Sequence, residues 1–186
     1  RFLASAFSSG PSLLIILALI LRSVTKFDPG EKAIRSLALI VTYAMLVNIF
    51  FVAVEVFTAI YSDMPHHVHS FEYLYLGLHG HDALVPWMWA SMIFMAVGIV
   101  LTVTPATRKN ETSLAIACAV IIMGTWIDKG LGMISGGFVP NPMHEVNEYA
   151  PTMPEIGITL GIYAIGALVL TVLYKIAVTV KSSSGT

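Results

Sequence analysis

Five runs of apolar residues, each long enough to cross a bilayer, alternate along this chain with short polar connections. A membrane-spanning helix needs about 20 consecutive, mostly apolar residues. A helix that is apolar all round has to be surrounded by lipid or protein rather than water. The runs predict helices at about 2–21, 36–61, 83–103, 112–133 and 155–179, followed by a polar tail at 182–186. The fold class expected is therefore all-α, a polytopic transmembrane helix bundle of about five spans over residues 1–181.

Punctuation supports these boundaries. Asp28-Pro29-Gly30 marks a turn after the first run, and Gly136-Gly137 with prolines 140, 142, 151 and 154 fills the connection before the last. A short helix is expected from Phe71 to Leu78, and a tight polar turn from Thr104 to Glu111. Pro86 fits the first turn of the third span, and Trp87 and Trp89 fit an interfacial belt. Ser9 and Gly10 in the first span, and Gly157 and Gly161 in the fifth, are small residues that let helices approach closely.

Charge adds direction. Arg22, Lys26, Lys32 and Arg35 occupy the first connection, Arg108 and Lys109 the third, and Lys175 and Lys181 the end of the last span. The second and fourth connections hold histidines and acids but no Lys or Arg. Basic connections stay on the cytoplasmic side of a membrane. The expected location is a cytoplasmic (inner) membrane, with the histidine and acidic connections outside. Residue 1 is Arg, and no short apolar core with a cleavage site opens the chain, so a piece of a longer polytopic protein is expected.

Composition agrees: 56% of residues are hydrophobic and 11% charged, against roughly 25% charged in soluble domains. A formal net charge of −1 gives no basis for nucleic-acid binding. Cys118 stands alone in an apolar run, so it forms no internal disulfide and reads as a small buried hydrophobe.

The polar residues inside the spans carry the candidate chemistry. Glu55 lies about six residues inside the second span. A charge at the centre of a membrane helix costs roughly 2.5–3.5 kcal/mol on insertion scales, so Glu55 should face protein or a water-filled cavity. It reads either as a proton-handling or quinone-site carboxylate, or as half of a structural ion pair. Lys129 in the fourth span lies at a similar depth and is the natural partner. Asp128 precedes it; adjacent helical residues point about 100° apart, so the two serve different neighbours. His79, His81 and Asp82 stand just before the third span. They read as a quinone hydrogen-bonding or proton-exit rim, or as interfacial contacts to a partner; two histidines alone make a weak metal motif, and no metal is expected. His66, His67 and His69 read as solvated or partner-facing.

All six histidines fall in connections rather than inside facing spans. An intramembrane haem is therefore not expected, and the chain has no iron–sulfur cysteine set and no nucleotide-binding glycine motif. Any electrons would have to reside on partner subunits or on a diffusing quinone, and no residue of this chain is expected to be catalytic through a cofactor of its own. A half of a secondary transporter or ion channel, and a purely structural anchor, are the rival readings of the same buried charges.

The first run, FLASAFSSGPSLLIILAL, resembles the F-x-x-S-A-x-x-S-G span of the NrfD/polysulfide-reductase (PsrC-like) membrane-subunit family. The stretch NIFFVAVEVFTAIYS, with HHVHSFEYLYLGL and VPWMW after it, resembles the family's ten-span branch. That branch holds DsrP of the DsrMKJOP complex and the related Hmc, Qrc and alternative complex III subunits. The resemblance implies an all-helical, cofactor-free subunit of a respiratory oxidoreductase complex. Such a subunit exchanges electrons between menaquinone or menaquinol and an outer-face iron–sulfur (ferredoxin-like) subunit, alongside a multihaem cytochrome and other membrane subunits. It implies that these spans are the C-terminal half, with the best-supported quinone pocket mostly in the other half. Glu55, His79, His81 and Asp128 would then serve proton transfer, or a second pocket equivalent to the first.

Overall fold

A computed structural model describes residues 1–24, 29–62, 65–77, 80–135 and 151–183. The helices are α1 (Phe2–Val24), α2 (Glu31–Ser62), α3 (Pro65–Tyr75), α4 (Val85–Val103), α5 (Pro105–Lys109), α6 (Glu111–Ile127) and α7 (Met153–Ser183). A π-helical segment, Asp128–Ser135, continues α6. Five of these helices are long and apolar enough to cross a membrane, the fourth running from Glu111 to Met133. No strand occurs among the described residues. The chain is an all-helical, multi-pass membrane protein. It divides into two compact units, Arg1–Glu148 and Tyr149–Thr186, and the second is built on α7.

Three local signals shift the expected boundaries. α2 starts five residues early, at Glu31, because Gly30 adopts φ +90° and its carbonyl accepts from Ala33 and Ile34. The histidine-rich connection is more helical than expected: α3 starts at Pro65 rather than Phe71. Proline suits a first helical turn, where its missing N–H has no partner to lose. α3 ends on Gly77, which at φ +85° lets its own N–H and that of Leu76 both reach the Glu72 carbonyl. The polar turn after α4 winds into the short α5, and Asn110 then caps α6 by accepting from the Thr112 N–H at 3.1 Å. Asp28, His79, His144, Gly136 and Gly137 lie outside the described residues.

In the first unit α1 packs on α2 and α6, α6 on α4, and α4 on α2, closing a four-helix bundle; α3 lies against α4 and α2. Its core holds Ile15, Ala38, Val41, Met45, Cys118 and Ile121. Polar side chains share this core: Ser8, Ser12, Asn48, Ser91 and Thr102 are fully buried. Lipid tails are as apolar as leucine, so membrane helices associate through close packing and hydrogen bonds rather than hydrophobic exclusion. Ser91 Oγ accordingly donates to the Gly124 carbonyl at 2.8 Å, tying α4 to α6. Thr42 reaches from α2 to the Thr102 carbonyl on α4 at 3.2 Å. At Gly98 a Cβ would come within 2.6 Å of the Ile121 side chain, so α4 and α6 touch there only because the residue is glycine.

α1 stays helical through Pro11. It turns Ser5, Ser8, Ser12 and Ile15 into the bundle. Ser9 is half-buried, with its hydroxyl on the Ser5 carbonyl, and a Cβ at Gly10 would meet nothing within 4 Å. The packing face of α1 is thus one step round the helix from the pair expected to form it. Gly157 and Gly161 fall one turn apart within α7.

Candidate functional site

Four charged side chains converge at one end of the first unit. Arg1 precedes α1, Glu55 stands near the end of α2, and Asp128 and Lys129 open the π segment. The Arg1 guanidinium donates through Nη1 to Glu55 Oε2 and through Nη2 to Asp128 Oδ1. Lys129 Nζ lies 3.0 Å from Asp128 Oδ2, an ion contact that makes no hydrogen bond. Two cations face two carboxylates, so the group is neutral overall.

Burial differs sharply within it. The Asp128 side chain is 3% exposed, Arg1 19% and Glu55 43%. A carboxylate as buried as Asp128 requires a cation, because an isolated charge out of water costs several kcal/mol. Glu55 is the open end of the cluster. Arg1 Nε and Asp128 Oδ2 are buried without hydrogen-bond partners, so the cluster keeps polar capacity beyond the bonds it makes.

The π segment positions Asp128. Its N–H is shared between the Gly124 and Thr125 carbonyls, four and three residues back, at the junction where α6 gives way to the π segment. Glycines 124, 130 and 132 surround this point and lower the preference for regular α-helix. Gly132 also lets Met88 of α4 close in, since a Cβ there would sit 2.9 Å from the Met88 thioether. π-turns are uncommon and concentrate at functional sites.

The cluster lines a cavity of about 260 Å³ walled by Phe71, Leu74 and Tyr75 of α3, with Met88 and Met133. The Tyr75 phenol and Arg1 line this cavity together. Burial raises the pKa of that phenol above its ordinary value; the negative charges of Asp128 and Glu55 push the same way, against Arg1. Arg1 itself stays firmly protonated. Burial opposes its charge, but Asp128 and Glu55 outweigh that and raise its pKa above the ordinary value. Tyr75 is held from its far side: its carbonyl accepts from Trp89 Nε1 at 3.0 Å, and the two rings meet edge to face.

Glu55 and Asp128, both marked out by their cost in an apolar span, are brought together, but through Arg1 rather than directly. Lys129, the partner expected for Glu55, contacts Asp128 instead. His81 and Asp82 stand in the turn before α4 and do not line this cavity, and His79 lies outside the described residues. No three metal-capable side chains gather among the described residues.

Sequence reasoning missed Arg1 and Tyr75. Arg1 stands immediately before the first span, outside the four connections between spans. Its signal was a lone cation on the side that is otherwise acidic, one residue before a span. Tyr75 sits in the aromatic run FEYLYLGL, where nothing separates it from Tyr73, which is 2% exposed.

Comparison with known proteins gives this geometry a family. The family model described as polysulphide reductase, NrfD, matches residues 1–139. A protein of Halobacterium salinarum, described as a membrane subunit of dimethyl sulfoxide reductase, is 24% identical over 191 residues, covering 91% of this chain and 42% of its own length. The chain therefore spans less than half the length of that curated relative. No solved structure matches it. With the family match covering well over half of its residues, the chain belongs to the polysulphide reductase NrfD family.

Proposed function

We propose that this chain is part of the membrane subunit of a respiratory reductase complex, and that the Arg1 cavity handles protons for a quinone, menaquinone or menaquinol. The carrying observation is one half-buried arginine shared by two carboxylates of unequal exposure, beside a neutral phenol, in a cavity at a bundle end. Oxidation of a quinol releases two protons with its two electrons, so each hydroxyl needs a base within reach. Glu55 is the exposed carboxylate of the cluster and takes one of the two protons, and the other leaves to water at the cavity mouth. Asp128, deeper, keeps Arg1 in place while the Glu55–Arg1 bond loosens. Tyr75 stays protonated at neutral pH and donates to a quinone carbonyl. The electrons pass to an iron–sulfur or multihaem partner on the outer face. His81 and Asp82 form the aqueous rim on that side of the cytoplasmic membrane. A transporter built on the same charges would need a helix broken at mid-span, whereas α1 runs unbroken through Pro11.

Glu55→Gln tests this in the intact complex. Quinol-dependent turnover should fall by at least about tenfold, the low side of what a positioned base contributes, with the complex still assembled. Wild-type turnover would remove the proton-handling role; lost assembly would make the cluster a structural tie.

A further inference from the structure

A second cavity, of about 330 Å³, lies between α1 and α6 on the other side of Lys129. Ala6, Gly10 and Leu13 form one wall, Ile122 and Trp126 the other, and Lys129 closes one end. Its hydroxyls are consumed by their own helices. Ser5 donates to the Phe2 carbonyl at 2.7 Å, Ser9 to the Ser5 carbonyl at 3.0 Å, and Thr125 to the Ile121 carbonyl at 2.7 Å. The groove is therefore apolar along its length, with one cation at its end. Leu13 and Trp126 are about half exposed on its lips, and Gly10 opens a notch in its floor. A larger groove between α2 and α4 is equally apolar but carries no cation, and another, between α2, α3 and α4, holds the Glu72 carboxylate instead.

Lys129 has donors to spare beyond its ion contact with Asp128, and these point to the occupant. Arg1 already holds Asp128 Oδ1, and Lys129 meets Oδ2 without forming a hydrogen bond. An ammonium carries three donors, and the contact with Oδ2 uses none of them as a hydrogen bond. We propose that the groove binds an anionic phospholipid, with its phosphate on Lys129 and one acyl chain laid past Gly10 and Leu13 against Trp126. Both halves of the ligand are matched: negative charge to the groove's single cation, alkyl chain to its apolar walls. A packed polypeptide helix is about 10 Å across with its side chains and would place only a ridge in so small a notch. The inference does not rest on the quinone reading.

The intact complex in lipid nanodiscs tests it. Phosphatidylglycerol and phosphatidylcholine, each with a photoactivatable diazirine in one acyl chain, are crosslinked and the labelled peptides mapped. Phosphatidylglycerol should label the α1 and α6 segments around Gly10 and Trp126 about fivefold more than phosphatidylcholine, the preference expected for one cation near anionic lipid. Lys129→Gln should abolish that preference and Lys129→Arg should keep it. Gly10→Leu, which fills the notch and leaves Lys129 in place, should cut labelling by both lipids. Equal labelling by the two lipids in the wild type would overturn the proposal, as would a preference that survives Lys129→Gln. So would a protein–protein crosslink at Trp126 in place of a lipid adduct. If Lys129→Gln fails to assemble, the wild-type preference and the Gly10→Leu loss decide the matter.

Discussion

Replacing Arg1 by methionine removes a side chain that joins the start of α1 to α2 and the π segment at this end of the bundle. Breaking a fully buried pair by deleting one partner costs about 3–5 kcal/mol, because the other charge is left uncompensated. Two features reduce that here. Arg1 is 19% exposed rather than sealed, and Lys129 remains 3.0 Å from Asp128. Glu55, at 43% exposure, turns to water for little, since exposed pairs are worth roughly 0–1 kcal/mol. The expected loss is about 2 kcal/mol, roughly a 30-fold change in the unfolding equilibrium. Most of it is Asp128 left with unsatisfied oxygens, so removing that carboxylate as well should restore most of the stability. A double-mutant cycle of Arg1→Met and Asp128→Leu, read by reversible unfolding of the full-length protein in micelles, should therefore show strong coupling. The double variant should be more stable than Arg1→Met alone. Costs that add to within about 0.5 kcal/mol would refute the reasoning, because uncoupled sites behave that way.

Two further outcomes follow from single contacts. Gly98→Ala should destabilise the bundle by about 1–3 kcal/mol, because its Cβ has to displace the Ile121 side chain from 2.6 Å. Gly10→Ala, where a Cβ meets nothing, should stay within about 0.5 kcal/mol in the same assay. The raised phenol pKa of Tyr75 makes stability depend on alkaline pH. Below pH 10 the phenol is protonated whether the chain is folded or unfolded, and its contribution is constant. Above pH 10 the unfolded chain loses the proton first, so stability should fall as pH rises toward the folded value. Unfolding midpoints followed upward from neutral pH should show this fall in the wild type and a shallower one in Tyr75→Phe.

Much of the architecture was legible in the sequence because the bilayer imposes a simple rule. A segment with no water to bond its backbone must be helical and long enough to span. The five apolar runs therefore announced the five long helices whatever their neighbours. The shifted boundaries came from side-chain and backbone details at single residues: Gly30 starting α2, Pro65 starting α3 and Gly77 ending it. Hydropathy does not register these.

The candidate site was half legible. Glu55 and Asp128 stood out because a carboxylate in an apolar span is costly, a property of the residue and its flanks alone. Which cation answers each is a property of the bundle. Arg1 lies 54 positions from Glu55 and 127 from Asp128, and no periodicity links residues so far apart. Only the closing of α1 against α2 and α6 places Arg1 between them. The same packing turned Ser5, Ser8 and Ser12 inward and left Gly10 facing out. Composition and the length of the apolar runs determined that these helices exist and cross a membrane, because those depend on local transfer from water. The tertiary structure alone decided which charges neutralise one another, because pairing depends on distances that the chain sets only once its helices pack.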